Sequence, residues 1–372
     1  MSAPEDIAHM SRALELAKRG WGDTSPNPMV GAVLVKGGRV VGEGFHRRDG
    51  AAHAEIECLR SASESPAGAT LYVTLEPCST KGRTGACCDA ISEANISEVK
   101  IGALDPNPLH CGRALEVLAG RGIKCEAGIL EEECRGLNFI FNYSIVNSRA
   151  LLAVKYAASK DGKIAASAGS PTPITKAAAR ADVMRWRRLF GAIGVGAGTL
   201  IADNPSLTAR FGGEVHCGQR LVFDASLSLA DIKNLKEYNV FADGFSKNTR
   251  IVCDCFADLD RQRSLKKQGI SVMRISAPKS NPSEFWRELK ERMFAERITG
   301  IYAEGGARVI ASICAGKAAD FAFEYRSKDL VLGESALGAF DFVPGRGRPF
   351  EIKGKTVDFG DDFLEFGSVF YK

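Results

Sequence analysis

The sequence has no long apolar run: its longest clean one, Met29 to Val35, falls far short of the roughly 18 to 20 residues needed to span a bilayer. Its start, Met-Ser-Ala-Pro-Glu-Asp, brings neither a basic leader nor an apolar block of secretory type, which predicts a cytoplasmic protein with no membrane partner. Nor is there a basic excess throughout. Residues 1–146 hold 15 Lys/Arg against 19 Asp/Glu, and the remainder 34 against 26. A nucleic-acid binder needs a basic stripe to neutralise phosphates, so the acidic first part argues against nucleic acid and leaves small anionic ligands for the second. No fixed-period repeat is visible, and no strand is followed by G-x-G-x-x-G, so a Rossmann nucleotide site is not indicated. The eleven Cys are odd in number and scattered in a chain with no export signal, which points to thiols or metal ligands rather than a disulfide framework.

What is present suffices for two folded domains: 372 residues, 45% hydrophobic and 25% charged. Ile7, Met10, Leu14 and Ala17 recur at helical spacing, predicting an amphipathic helix that ends near Gly20 and covers a sheet. Val30–Lys36, Gly37-Gly38 and Arg39–Gly44 read as a β-hairpin. Helices opening near His53, at Cys87 and at Arg113 then alternate with strands at 69–74, 98–103 and 124–128, and a continuous helix is expected from Leu130 to about Val146. The pattern resets near Asn147-Ser148-Arg149, giving domains at 1–146 and 150–372. In the second, strands at 150–157, 192–196, 219–224, 250–254, 271–275 and 299–303 are interleaved with helices at 176–189, 285–296 and 307–315, which indicates a mostly parallel α/β sheet.

The most specific chemistry lies in His53-Ala54-Glu55, Glu76-Pro77-Cys78 and Cys87. One imidazole and two thiolates make a three-ligand zinc set, and a tetrahedral ion with three protein ligands keeps a fourth position for water. That water needs a base beside it, and Glu55, two residues from a ligand, is the candidate. Helices starting at His53 and at Cys87 would aim their positive ends at the site and favour thiolates. Neighbouring side chains diverge, so Cys87 is chosen over Cys88, and Cys58 is read as a helix-core residue. A structural zinc site, or buried Cys with a capping His, is the competing reading; it normally requires a fourth protein ligand.

Thr24-Ser25-Pro26-Asn27-Pro28-Met29-Val30-Gly31, Gly42-Glu43-Gly44-Phe45-His46, His53-Ala54-Glu55, Thr74-Leu75-Glu76-Pro77-Cys78-Ser79, Gly82-Arg83-Thr84, Cys87-Cys88-Asp89-Ala90 and Asp105-Pro106-Asn107-Pro108 resemble, in that order, the bifunctional riboflavin-biosynthesis deaminase/reductases. The resemblance implies a cytidine-deaminase-like three-layer αβα domain followed by a dihydrofolate-reductase-like α/β domain. It implies zinc-dependent hydrolytic deamination of 2,5-diamino-6-(5-phosphoribosylamino)pyrimidin-4-one to 5-amino-6-(5-phosphoribosylamino)uracil. NADPH-dependent reduction of the ribosyl to a ribityl group would follow, in a homo-oligomer. Carried over by position, His53, Cys78 and Cys87 bind zinc, Glu55 shuttles protons, and Asn27, His46 and Asn107 line the substrate pocket, with Gly82-Arg83-Thr84 receiving the ribose phosphate.

In the second domain Ala303-Glu304-Gly305-Gly306 follows a strand and opens a helix, where backbone N–H groups and the positive helix end suit a pyrophosphate. The resemblance continues through Lys155, Asp161-Gly162-Lys163, Arg187, Gly198-Thr199, Asp203-Asn204-Pro205 and Glu304-Gly305-Gly306. It implies Ala157, Thr199, Asp203, Gly305, Gly306 and Ala307 at NADPH, and Arg187, Leu207, Arg210 and Glu304 at the substrate. Arg187 and Arg210 suit a phosphate ester by charge and fork geometry. Pro171 and Pro173 stand where the family has a substrate-binding Ser and a cofactor-packing Trp, and Lys160 replaces a Leu. A deaminase with a degenerate reductase domain, or a tRNA or nucleoside deaminase, is the alternative.

Overall fold

A computed structural model describes residues 3–80 and 85–372, which separate into two compact units, Met1–Ser148 and Arg149–Lys372. In the first unit the sheet runs β2 (Arg39–Phe45), β1 (Gly31–Lys36), β3 (Thr70–Leu75), β4 (Glu98–Ala103), β5 (Lys124–Ala127). The β1–β2 and β1–β3 pairs are antiparallel, and the other two are parallel. Alternation along β1 builds the layers, because successive residues point to opposite faces. Ala32 and Leu34 pack with helices α2 (Ala54–Arg60), α3 (Cys87–Glu93) and α4 (Arg113–Ala119). Val33 and Val35 pack with α1 (Pro4–Lys18) and α5 (Glu131–Leu137). The expected αβα sandwich results.

Two glycines set how closely helices approach this sheet. A Cβ on Gly31 would lie 2.0 Å from the Ala13 carbonyl oxygen of α1, and one on Gly44 would lie 2.2 Å from the Cys58 nitrogen of α2. Neither position has room for a side chain.

The continuous helix expected over 130–146 is instead broken into α5 and α6 (Phe139–Asn147). The break is Asn138, whose side chain accepts from the Met29 N–H and donates to the Met29 carbonyl, both at 2.8 Å. This buried two-point grip on a loop 109 residues earlier draws the backbone out of the helical region.

The second unit is built on a nine-stranded sheet. It comprises β6 (Leu151–Ala158), β8 (Ala192–Gly196), β11 (Gln219–Phe223), β12 (Thr249–Cys253), β13 (Ser271–Arg274), β14 (Gly300–Ala303), β15 (Phe321–Ser327), β17 (Phe350–Asp358) and β18 (Asp362–Tyr371). Two short pairs lie outside it: β7 (Lys163–Ala165) with β16 (Leu337–Gly338), and β9 (Ala209–Phe211) with β10 (Glu214–His216). The order is β13-β12-β11-β8-β14-β6-β15-β18-β17, parallel through β15 and antiparallel over the last two pairings. The helices are α7 (Ala177–Leu189), α8 (Ala197–Asp203), α9 (Asn239–Ala242), α10 (Leu259–Lys267), α11 (Pro282–Ala295) and α12 (Ala307–Ala315). Helices α11 and α12 cover one face through Trp286, Leu289, Ile310 and Ile313 against Leu152, Val154 and Ile301. On the other face Trp186 of α7 and Phe190 pack on Tyr302 and Phe323. Pro171 and Pro173 lie exposed between β7 and α7. Among the described residues no helix is long and apolar enough to cross a membrane.

Candidate active site

Strand β3 ends at Leu75 and delivers Cys78, while His53 and Cys87 stand at the starts of α2 and α3. His53 Nδ1 lies 3.2 Å from Cys87 Sγ and 3.6 Å from Cys78 Sγ. All three donor atoms fall within 4.8 Å of one another. Zn–S and Zn–N bonds of about 2.3 and 2.0 Å in a tetrahedron set such atoms ~3.5–3.8 Å apart, so the set fits zinc. The Cys87 backbone N–H, in the first turn of α3, donates to Cys78 Sγ at 3.2 Å, which is the helix end acting on the thiolate as expected. Hydrogen bonds from Cys87 and His53 pull the Cys78 thiol down to about 4, and the same sharing pushes Cys87 up. Cys58 and Cys88 are buried in the apolar core beneath this site.

Glu55, on the first turn of α2, is 3% exposed, and burial pushes its carboxyl above the ordinary range. Its carboxylate also reaches Cys87, placing a proton carrier beside the ligand set. His46, at the end of β2, stacks edge-on against His53 with ring centres 5.7 Å apart. Its Nδ1 faces the Ala52 carbonyl at 3.0 Å and its Nε2 faces Asn27 Nδ2 at 3.3 Å. With Nδ1–H donating to the carbonyl, Nε2 accepts from Asn27, which suits a neutral ring, and burial lowers the His46 pKa accordingly. Asn27 also donates to Asp49 at 3.2 Å, and the Asn138 grip on Met29 holds its loop.

Asn107 lies in the loop after β4, with its N–H on Asp105 Oδ1 at 2.8 Å and its Oδ1 accepting from the Leu109 N–H at 3.1 Å. Gly82-Arg83-Thr84, the expected phosphate contact, lies outside the described residues. Two residues whose contacts bear on the site had no role read from the sequence, although Glu76 stood within the Glu76-Pro77-Cys78 motif. Glu76 binds backbone at both ends of the Asn107 loop, and Asn138 pins Met29. For Asn138 a polar residue inside an apolar helical stretch was the available clue.

In the second unit Glu304 leaves β14 and meets Arg187 of α7 in a two-pronged ion pair, Nε to Oε1 at 2.5 Å and Nη2 to Oε2 at 2.8 Å. Arg187 Nη1 donates to the Thr208 carbonyl at 3.0 Å, and Lys155 Nζ stands 3.8 Å from Glu304. Burial alone would raise the Glu304 carboxyl, but Arg187 and Lys155 more than offset it and hold it low. The Arg187 fork is thus spent on Glu304 and Thr208 rather than presented to a phosphate. Arg210 is exposed on β9, while Leu207 is buried with φ of 49°.

The turn from β14 into α12 is tight at two glycines, excluding a side chain at Gly305 and crowding one at Gly306. A Cβ on Gly305 would lie 2.7 Å from Val309 Cβ, and one on Gly306 would lie 3.0 Å from Thr199 Oγ1 of α8. Gly306 caps α12 without a side-chain bond and its carbonyl accepts from the Val309 N–H at 2.9 Å, so the donors this nine-residue helix can offer a ligand beside Thr199 are the Ala307 and Arg308 N–H groups. These residues fit the pyrophosphate of a dinucleotide. Ala307 is buried there, Asp203 ends α8, and Ala157 is half-buried on β6.

Comparison with known proteins agrees with both halves. Residues 3–103 match the family model for the cytidine and deoxycytidylate deaminase zinc-binding region, and residues 150–322 match the RibD C-terminal domain. The riboflavin biosynthesis protein RibD of Bacillus amyloliquefaciens is 38% identical over 301 residues, covering 81% of this chain and 78% of that protein. Its counterpart from Aquifex aeolicus is 37% identical over 310 residues, 82% of each. Among solved structures, Acinetobacter baumannii RibD superposes with a TM-score of 0.82 at 29% identity, covering 98% of this chain and 99% of that one. The diaminohydroxyphosphoribosylaminopyrimidine deaminase/5-amino-6-(5-phosphoribosylamino)uracil reductase of Thermotoga maritima gives 0.80 at 31%, covering 97% and 98%. The paired thiolates and imidazole of one unit, the glycine turn of the other, and relatives matching across both place this chain in the RibD family of bifunctional riboflavin-biosynthesis deaminase/reductases.

Proposed function

We propose that residues 1–146 deaminate 2,5-diamino-6-(5-phosphoribosylamino)pyrimidin-4-one and that residues 150–372 reduce the ribosyl group of the resulting uracil to ribityl. The observation that carries this reading is the convergence of His53, Cys78 and Cys87 beside buried Glu55. Zinc on those three ligands supplies a Lewis acid that makes water nucleophilic near neutral pH. Glu55 takes a proton from the attacking water and passes it to the ring nitrogen, then takes the remaining hydroxyl proton as the carbonyl forms and delivers it to the amine, which departs as ammonia. Its burial, which raises the carboxyl, suits a group that must both accept and release a proton. Asn27 and Asn107 hold the ring by hydrogen bonds, and His46, whose two ring nitrogens are engaged by Ala52 and Asn27, lines the pocket beside them.

NADPH supplies the hydride of the second step. The α12 N-terminus with Gly305, Gly306 and Thr199 binds its pyrophosphate, with Ala157, Asp203 and Ala307 completing the cofactor surface. Arg210 takes the substrate phosphate, while Lys155, Arg187, Leu207 and Glu304 line the ribosyl end. Purified protein should release one ammonia per pyrimidine and then oxidise one NADPH. Ammonia release without NADPH oxidation on the deaminated compound would show a deaminase alone, and absence of both would refute the reading.

A further inference from the structure

Glu76 lies between the end of β3 and Pro77-Cys78 and is 6% exposed. Its carboxylate faces no cation in hydrogen-bonding range among the described residues; it is satisfied by backbone. Oε2 accepts from the N–H groups of Asp105 at 3.0 Å and Gly112 at 2.9 Å, and Oε1 from that of Ala114 at 2.8 Å. The Glu76 N–H in turn donates to the Ala103 carbonyl at 2.9 Å. These donors sit at the two ends of one loop, so a single side chain closes it at entry and exit. Inside, Asp105 Oδ1 takes the Asn107 N–H, and the Asn107 carbonyl accepts from His110 and Cys111, both at 2.9 Å. The Asn107 Oδ1 is committed to Leu109, which leaves Nδ2 as the group the side chain offers.

A carboxylate two residues from a metal ligand therefore ties the ligand-bearing strand end to the loop that carries Asn107. A buried negative charge is costly to hold without a counter-ion, and a neutral amide could serve only part of this pattern, since its NH2 would oppose the N–H groups it faces. We infer that Glu76 is a positioning residue for deamination, clamping the 105–112 loop so that Asn107 presents a donor and selects pyrimidines bearing a hydrogen-bond acceptor, such as a ring carbonyl, at that point. The inference rests on the deaminase reading above.

The test is Glu76→Gln in the full-length zinc-loaded protein, with Asp105→Ala as companion because it releases the Asn107 N–H and leaves Glu76 in place. Expected in both is a rise in KM for the pyrimidine of about tenfold with kcat falling less than about threefold. Zinc should stay at one per chain and the NADPH step should be unchanged. Wild-type KM in both variants overturns the inference, as does a fall in kcat in step with zinc loss at unchanged KM, which would assign Glu76 to ligand geometry. If Glu76→Gln fails to fold, the KM of Asp105→Ala decides alone. A wild-type protein that releases no ammonia from the pyrimidine refutes the deaminase reading and this inference with it.

Discussion

In the N-terminal unit the reactive groups come from three short stretches, 53–55, 76–78 and Cys87, each at a helix start or a strand end. In the C-terminal unit the residues proposed for cofactor and substrate are drawn from β6, α7, α8, β9 and the β14–α12 turn, across residues 155–307. The difference follows from ligand size. A single ion demands donor atoms within a few ångströms, which forces a dense local signature. A dinucleotide and a phosphosugar spread their contacts over a long surface, and much of that recognition is backbone N–H and missing side chains, which leave faint traces in sequence.

The comparison breaks most cleanly at Glu55. Glu55→Gln should lower deamination by about a thousandfold or more, within the range that general acid–base groups command, while zinc content and NADPH oxidation on the deaminated compound stay as in wild type. Separate assays of ammonia and of NADPH absorbance check this, and parallel loss of both would show that the units do not act independently. Next in size, Cys87→Ser, or removal of metal with a chelator, should abolish deamination along with bound zinc, measured by elemental analysis, and spare the reduction.

In the other unit, Glu304→Gln leaves Arg187 without its buried partner and should cost about 3–5 kcal/mol of stability. Because Arg187 and Lys155 hold the Glu304 carboxyl below its unfolded value, the pair stabilises the fold at neutral pH. That contribution is lost as pH falls through the folded-state pKa, so the gap between wild type and variant in urea midpoint should be wide at pH 7 and narrow in strong acid. A gap independent of pH would refute the ion-pair account. Smaller again, Gly306→Ala should raise the KM for NADPH several-fold, since the new methyl must displace Thr199. Arg210→Ala, at an exposed position, should weaken the second activity by about tenfold and leave the first intact.

Much of the N-terminal unit was legible because its alternating strands and intervening helices agree with the chemistry they carry. The β1–β2 hairpin was read from its glycine turn, and the choice of Cys87 over Cys88 from the divergence of neighbouring side chains, both local features of the sequence. Asn138 escaped because its partner lies 109 residues away, and Glu76 because its donors are backbone N–H groups that any sequence possesses. In the C-terminal unit the parallel core was readable from its apolar runs, whereas β15, β17 and β18 were not. β17 is an edge strand exposed over most of its length, with Glu351, Lys353 and Lys355 among its residues, so the usual hydrophobic alternation is missing. The Arg187 pairing with Glu304 also needed the fold, since charge alone suggested a phosphate contact.

The tight seat of α2 on β2 has a bearing on how this enzyme tolerates change. Gly44 has no reactive atom, yet a methyl there would collide with the helix that bears Glu55. In a random library scored by ammonia output, inactive clones should therefore accumulate at this silent-looking position as densely as at the chemistry itself, and a second substitution that reseats the helix should restore them.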